Sequence, residues 1–316
     1  MQTVDVCVVG EINLDLILYG LPKELVLDRE LLASGLALTL GSSSAICAHN
    51  LATLGSKVGF ISKTGGDALG KMALERLSVA GVEVGRVKQT TGRTATGLTV
   101  ILPYLRQRYN LTYPGTMFEM QYSDIDIAYL RSARHLHVSS FFLHRALRPR
   151  ILDLFRQSKA AGLSTSLDTN DDPENKWDRD LLDVLKHVDI FFPNDREAKK
   201  AARTDDLSQA INVLAGLAKI VVVKRGASAA ICRSGQEQYS LMPPSVKTVD
   251  DVGAGDSFAA GFIHQFLTGA KVEDCLAYAN IVAAYSTTKE GGTEAFRDRA
   301  ALTSFIRQHW SVVPRS

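Results

Sequence analysis

The sequence predicts an α/β protein whose mostly parallel, doubly wound central sheet is flanked by helices and carries a small β-sheet lid. Three observations lead there. Short apolar runs alternate with segments of helical periodicity along most of the chain, and strands that alternate with helices pair in parallel. Two stretches, near residues 14–40 and 95–113, have strand chemistry with no helical period between their halves. The 316 residues are 46% apolar and 22% charged, which suits a sizeable core and excludes disorder, collagen repeat or coiled coil as the main architecture. No Gly/Ser/Pro linker, charge block or internal repeat divides the chain. Residues 1–316 therefore read as a single domain, with lid segments at about 13–40 and 93–115.

In order, Val4–Gly10 is the first buried strand, and Leu14–Tyr19 with Gly35–Leu40 follow as lid strands. Ala45–Leu54 has helical spacing, Lys57–Ser62 is a strand and Ala68–Ala80 a helix. Ala95–Leu102 and Arg108–Tyr113 alternate apolar and polar residues and complete the lid as a small antiparallel sheet. Arg134–Ser139, Leu163–Leu167, His187–Phe192 and Lys219–Lys224 are further apolar strands. The helical patterns between and after them are Pro149–Ala160, Asp195–Ala202, Leu207–Gly216, Gly255–Leu267 and Val272–Thr288.

Lysine and arginine number 36 against 34 acidic residues, a net charge of +2. No bulk field exists to hold nucleic acid or an anionic membrane, and neither is expected as a partner. Any anion must be handled by local geometry. Cys7, Cys47, Cys232 and Cys275 form no C-x-x-C pair and read as reduced thiols. The first residues lack a basic, then apolar, leader pattern. The longest charge-free stretch, Leu31–Ser56, is interrupted by Gly35, Gly41, His49 and Gly55, so no membrane span is expected and a cytoplasmic location is.

The sharpest local pattern is Asp250-Asp251-Val252-Gly253-Ala254-Gly255-Asp256-Ser257-Phe258, which runs into an apolar helix. Gly253 and Gly255 permit a tight turn and a close backbone approach. The helix start aims unpaired N–H groups at that turn, which makes an anion site. A carboxylate, Asp256, beside an anion nest suits phosphoryl transfer to an alcohol: the carboxylate takes the proton while amides steady the phosphoryl charge. A helix-start residue after a Gly-rich turn is the alternative. Gly65-Gly66-Asp67-Ala68-Leu69-Gly70-Lys71 has P-loop spacing, but Met72 stands where a Mg²⁺-binding hydroxyl is needed, so it reads as a turn with Asp67 as N-cap. His135 and His137 alternate on one strand without an acidic third ligand, which argues against a metal site.

From Asp250 to Phe262 the chain resembles the C-terminal signature of the ribokinase family, ATP-dependent carbohydrate kinases of the phosphofructokinase-B type, and the likeness extends over almost the whole length. The resemblance implies a ribokinase-like fold, Asp256 as general base and Gly253, Ala254 and Gly255 as the anion hole. It implies that Asn13 and Asp15, in Gly10-Glu11-Ile12-Asn13-Leu14-Asp15, grip acceptor hydroxyls. Asn194 and Glu197, in Pro193-Asn194-Asp195-Arg196-Glu197, fall near the nucleotide phosphates, with Glu197 organising Mg²⁺ through water; a capping box is compatible with that. Lys224, Arg225 and Gly226 form the turn beside the nucleotide, and Asn280 falls near the adenine, with helix surface the alternative. Asp250, the Val252 carbonyl and Gly291 are where K⁺ would sit. Gly41 and Ser42 align with the family's Gly-Gly signature, from which the chain departs at Ser42 and at Ile46, where the family has a sugar-binding Asn; Asn50, one turn on, is the substitute or a surface residue.

These departures leave the acceptor open: a small sugar or sugar derivative, an adenosine-like nucleoside, or an already phosphorylated sugar read by Arg106 and Arg108, which are otherwise solvated edge residues. Asp168-Thr169-Asn170 at a strand end faces substrate or only turns the chain. The exposed lid edge suggests a homodimer through the lid.

Overall fold

The structure, a computed structural model, describes residues 4–22, 24–104 and 107–311. The chain begins with β1 (Val4–Val9), leaves the main sheet for β2 (Asn13–Tyr19) and β3 (Gly35–Gly41), and returns through α1 (Ser43–Thr53), β4 (Val58–Thr64), α2 (Ala68–Ala80) and β5 (Glu83–Gln89). A second excursion, β6 (Gly97–Tyr104) and β7 (Gln107–Tyr113), precedes α3 (Ile127–Leu130), β8 (Ala133–Val138), α4 (Ile151–Ala160) and β9 (Ser164–Leu167). Then come α5 (Asp180–Leu185), β10 (Ile190–Phe191), α6 (Asp195–Ala202), α7 (Leu207–Ala215) and β11 (Ile220–Val223). The hairpin β12 (Ala230–Ser234) and β13 (Glu237–Leu241) leads to α8 (Ala254–Leu267), α9 (Val272–Ser286) and α10 (Arg299–Trp310).

Nine strands pair in the order β13-β12-β11-β10-β9-β8-β1-β4-β5, parallel from β11 to β5. β1 and β11 are Val-rich and buried on both faces, as strands covered by helices on both sides must be. One core lies on each face. Leu136, Leu154, Phe155 and Val221 pack on one side; Val8, Phe60, Phe258 and Phe262 pack on the other. All parallel strands end on the same edge, where the loops after β1, β8, β9, β10 and β11 meet the N-terminus of α8.

Four strands form the lid in the order β3-β2-β6-β7. The lid is not purely antiparallel as expected: β2 and β6 pair in parallel, Asn13 opposite Gly97 and Asp15 opposite Thr99. Both strands leave the main sheet in the same direction, and the long excursion through α1, β4, α2 and β5 joins them, so no hairpin imposes antiparallel pairing.

The Gly65–Lys71 turn behaves as a cap. Asp67 accepts from Gly70 N at 2.8 Å and from Thr96 N at 2.7 Å, and Lys71 lies inside α2. His135 and His137 are buried in a chain of serine hydroxyls, Ser164, Ser166 and Ser139, at 2.7–2.9 Å, and burial holds both rings well below the usual histidine range, at about 3. The four cysteines are free and buried. Among the described residues no helix is long and apolar enough to cross a membrane.

Candidate active site

α8 begins at a backbone kink. Gly253 adopts φ 72°, ψ 5° as its N-cap, and a Cβ there would collide with the backbone of Gly292, so glycine is required both for conformation and for space. The first-turn amides have no intrahelical partners; that of Ala254 turns back onto Asp251 O at 3.2 Å, which leaves those of Gly255 and Asp256 to face a ligand. Asp256 sits in this turn, 8% exposed. Burial first, and then the charge of Asp168, push its carboxyl up to about 7 against the opposing pull of Lys224 and a hydrogen bond from Ser43. A buried carboxyl of that pKa is matched to taking a proton near neutral pH.

Lys224, at the end of β11, is sealed against Asp168 at the end of β9; their side chains are 12% and 1% exposed. The lysine also lines a cavity of 510 Å³ with Arg225, Gly226, Pro243, Val246, Gly255, Asn280 and Ala284. The lysine ends beside the first turn of α8: a Cβ at Gly255 would stand 3.4 Å from Lys224 Nζ, in ordinary contact. Arg225 pairs with Asp195 at 3.2 Å, and Gly226 turns with φ 55°. The Asn280 amide donates to Leu241 O at 3.0 Å, so it braces the apolar wall of the cavity from α9. The cavity reaches the first turn of α8 at Ala254 and Gly255.

Asn194 and Glu197 form a full capping box: Asn194 N donates to Glu197 Oε2 at 2.8 Å, Asn194 Nδ2 to Oε1 at 2.6 Å, and Glu197 N to Asn194 Oδ1 at 2.9 Å. Burial raises the Glu197 carboxyl to about 7, opposed by Lys224. With Asp168 and Asp256 close by, one lysine faces three acidic groups. This excess of negative charge fits a divalent cation held through water, as Mg²⁺ prefers.

On the other side of α8 the lid supplies the residues from β2 and β3. Asn13 donates to Thr99 Oγ1 at 3.1 Å, while its Oδ1 is buried without a partner, an acceptor that awaits a ligand's hydroxyl. Asp15 is buried and pushed up to about 7 by burial and the charges of Asp256 and Asp250, with Arg108 opposing. A Cβ on Gly41, across the ladder, would collide with that carboxylate. Ser42 takes φ 63°, ψ 137°, a conformation that favours glycine. It is held there as the N-cap of α1, with its hydroxyl donating to Glu11 O at 2.7 Å.

Asn50 does not reach the acceptor. Its amide donates to Ser257 Oγ at 2.9 Å and Gly292 O at 3.1 Å, and its Oδ1 meets His49 Nδ1 at 2.8 Å. Ser257 in turn donates to Gly253 O at 2.8 Å. Asn50 is therefore a brace for the Gly253 turn, with both hydrogens of its side-chain amide spent on Ser257 and Gly292.

The structure brings Asp250, Val252 and Gly291, the residues of the K⁺ expectation, together. Asp250 accepts from Tyr19 OH at 2.7 Å, Gly291 N at 3.0 Å and Val252 N at 2.9 Å. These bonds form a knot that ties the lid strand β2 to the turn before α8. Arg108 adds a second tie, pairing with Asp251; Arg106 lies outside the described residues.

Sequence reasoning missed one buried cluster. Glu11, just past β1, accepts from Ser44 Oγ at 2.6 Å and Ser140 Oγ at 2.7 Å and meets His144 Nε2 at 3.2 Å. His144 and these hydroxyls hold its carboxyl down at about 2 in spite of burial. A glutamate two residues after a mostly apolar strand, in Val9-Gly10-Glu11, is the trace it left in the sequence.

The pattern that defines pfkB family carbohydrate kinases matches residues 4–299. An uncharacterized sugar kinase of Archaeoglobus fulgidus is 29% identical over 249 residues, 77% of this chain and 96% of that protein. An ATP-dependent ribose-1-phosphate kinase of Halopiger xanaduensis is 32% identical over 257 residues, 81% of this chain and 82% of that protein. Among solved structures, Arabidopsis thaliana ribokinase complexed with ribose and ATP superposes with a TM-score of 0.81 at 24% identity, covering 96% of this chain and 99% of that one. The fold is ribokinase-like.

Proposed function

Since the chain belongs to the pfkB family of carbohydrate kinases, we propose that it transfers the γ-phosphate of ATP to a hydroxyl of a small sugar or sugar derivative, with Asp256 as general base and the whole chain acting as one kinase domain. The observation that carries this reading is the buried Asp256 carboxyl, raised to about 7, in the helix turn that the cavity of Lys224 reaches. ATP lies in that cavity, its base against the wall that Asn280 braces and its phosphates toward Lys224, Arg225 and Gly226. Asn13 Oδ1 and Asp15 hold acceptor hydroxyls from the lid side. As the acceptor oxygen bonds to the γ-phosphorus, its proton passes to Asp256 and the bond to the β,γ-bridging oxygen breaks, releasing ADP. The Gly255 and Asp256 amides bear the charge on the transferred group. Glu197, acting through water, is the residue that would hold Mg²⁺, which supplies charge neutralisation to the phosphates when bound. Closure of the lid excludes water.

A phosphorylated acceptor is the second reading. Arg108 lies in the field of Asp15, and its partner Asp251 is 75% exposed, so the guanidinium can exchange partners at small cost. The test is ATP consumption across ketoses, pentoses, sugar acids, sugar phosphates and nucleosides. Turnover of unphosphorylated sugars or sugar acids is expected. Turnover confined to sugar phosphates selects the second reading, and turnover confined to nucleosides such as adenosine overturns both.

A homodimer through the lid belongs to the same proposal. β7 is exposed along its length, and Tyr109, Leu111 and Tyr113 share one face of it. Light scattering at micromolar concentration should give twice the chain mass; a monomer there rejects the dimer.

A further inference from the structure

The brace residue Asn50 has a neighbour in α1 that the mechanism above does not use. His49 lines a second cavity, of 340 Å³, together with Arg76 of α2 and Thr293, Glu294, Arg297 and Arg299 of the segment leading into α10. Three guanidiniums share one carboxylate there. Glu294 accepts from Arg76 Nη1 at 3.1 Å and from Arg297 Nη1 at 2.9 Å. Arg299 donates to Ala80 O at 2.8 Å and has no acidic partner among the described residues. Glu75, also on the wall, has no ion pair among the described residues.

His49 offers this cavity an acceptor. The Asn50 amide fixes the tautomer: its NH₂ must face the Gly292 carbonyl, at 3.1 Å, so its Oδ1 faces His49 Nδ1 at 2.8 Å and that nitrogen carries the hydrogen. Burial, aided by the charges of Arg297 and Arg76 and opposed by Asn50 and Glu294, holds the ring at about 4, so it is neutral at pH 7. Nε2 is therefore a bare acceptor. It has no partner among the described residues, and unlike His144 Nδ1 it is not sealed from solvent, although His49 as a whole is only 7% exposed.

We propose that this cavity is an effector site for a sugar phosphate, whose phosphoryl group pairs with Arg297 and Arg299 and one of whose hydroxyls donates to His49 Nε2. Unspent guanidinium donors and a buried acceptor in one cavity call for a ligand with both an anionic group and a hydroxyl. The volume lies in the range of small-molecule sites, and the arginine fork matches phosphoryl oxygens. Occupancy reaches the active site through His49. A donor on Nε2 polarises the ring and strengthens the Nδ1–H bond to Asn50. Asn50 holds Ser257 and Gly292, and Ser257 holds Gly253 O, so the occupant steadies the turn that opens α8. A second link runs to the lid, where Arg76 donates to Leu38 O at 2.7 Å and Thr39 donates to Glu294 at 3.1 Å. The coupling, though not the binding, rests on the α8 turn being the site of the nucleotide's terminal phosphate.

Calorimetry on the full chain without nucleotide should detect ribose-5-phosphate or glucose-6-phosphate. Inorganic phosphate, the free sugars and gluconate should each bind at least about tenfold more weakly, because each lacks part of the contact set. Arg297→Ala and Arg299→Ala should each weaken the sugar phosphate about 10- to 100-fold; both residues are exposed, so neither change threatens the fold. Asn13→Ala, on the acceptor side, should bind it as the parent does. A non-hydrolysable ATP analogue with Mg²⁺ and the sugar phosphate should tighten each other's binding by the same factor, about fivefold or more, in the parent and not in Arg299→Ala.

No binding of either sugar phosphate, or binding that both arginine variants retain, overturns the site. Binding that Asn13→Ala abolishes places the ligand among the acceptor residues and overturns it as well. Gluconate binding more tightly than both sugar phosphates overturns the phosphoryl assignment. Arginine-dependent binding without mutual tightening overturns the effector role. Full activity of Asp256→Asn would remove the proposed mechanism instead, and would leave arginine-dependent binding in place.

Discussion

Asp256→Asn should lose about two to four orders of magnitude in kcat while ATP still binds. The amide has the shape of the carboxylate but cannot take the acceptor's proton. The free amides of α8 and the cavity of Lys224 are untouched, so nucleotide affinity, read by calorimetry, should change little. In the parent enzyme the same group sets the pH dependence. Its carboxyl is raised to about 7 by burial and by Asp168, and it serves as a base only when ionised. Activity is therefore present above that value and should fall about tenfold per pH unit below it. Asp15, also raised to about 7, lies in the field of Asp256, so the limb belongs to the pair of carboxyls. Turnover of Asp256→Asn at the parent rate would sink the mechanism.

Lys224→Met should be the most destabilising single change near the site, by about 3–5 kcal/mol, because it strands Asp168 as a buried charge without its partner. The pH dependence of that loss has a definite sign. Glu197 and Asp256 are already raised to about 7 with Lys224 pulling them down, and its removal raises them further. A carboxyl whose folded pKa exceeds its unfolded one carries no penalty below the unfolded value near 4. It carries the full penalty once the pH has risen through the folded value. Urea denaturation of Lys224→Met should therefore show a gap to the parent protein that widens as the pH rises through about 7, where the parent's carboxyls have reached their full penalty and the variant's have not. Adding Asp168→Leu should close most of the gap, since a buried pair replaced by apolar residues is often near neutral in stability. Equal urea midpoints for parent and Lys224→Met would show that the pair contributes nothing.

Much of this architecture was legible in the sequence where one periodicity ruled locally. β1, α2, α6 and β11 lie close to where apolar spacing and caps put them, because each is decided by its own residues. Edge elements were not legible. β5 carries Glu83, Arg86 and Lys88 and is largely exposed, and β13 at the other edge, Glu237–Leu241, has no buried residue; both are strands because a neighbour offers them a ladder. The lid strands were readable, but the parallel register of β2 on β6 was not, since it depends on where two distant excursions leave the sheet.

The site divides in the same way. The Gly253–Asp256 turn shows in sequence because glycine and a helix start are local requirements. The pairing of Lys224 with Asp168 spans 56 positions and that of Tyr19 with Asp250 spans 231, and neither leaves a local trace. Asn50 misled for a related reason: helical spacing gives the face of α1 on which it lies, but α8 and the Gly291–Gly292 turn decide what that face meets.

The β2–β6 pairing also bears on how acceptor preference can be moved between proteins. The residues that would touch the acceptor come from a lid stitched out of two stretches more than fifty positions apart, joined at Asn13 and Thr99. No single contiguous cassette carries it. A chimaera that imports residues 13–41 alone with any residue other than Asn at position 13 would leave the resident Thr99 without this donor and lose the bond that holds the side chain in place. Recombination therefore transfers this lid intact only by two coordinated exchanges, which makes stepwise substitution on a fixed lid the easier route to a new acceptor.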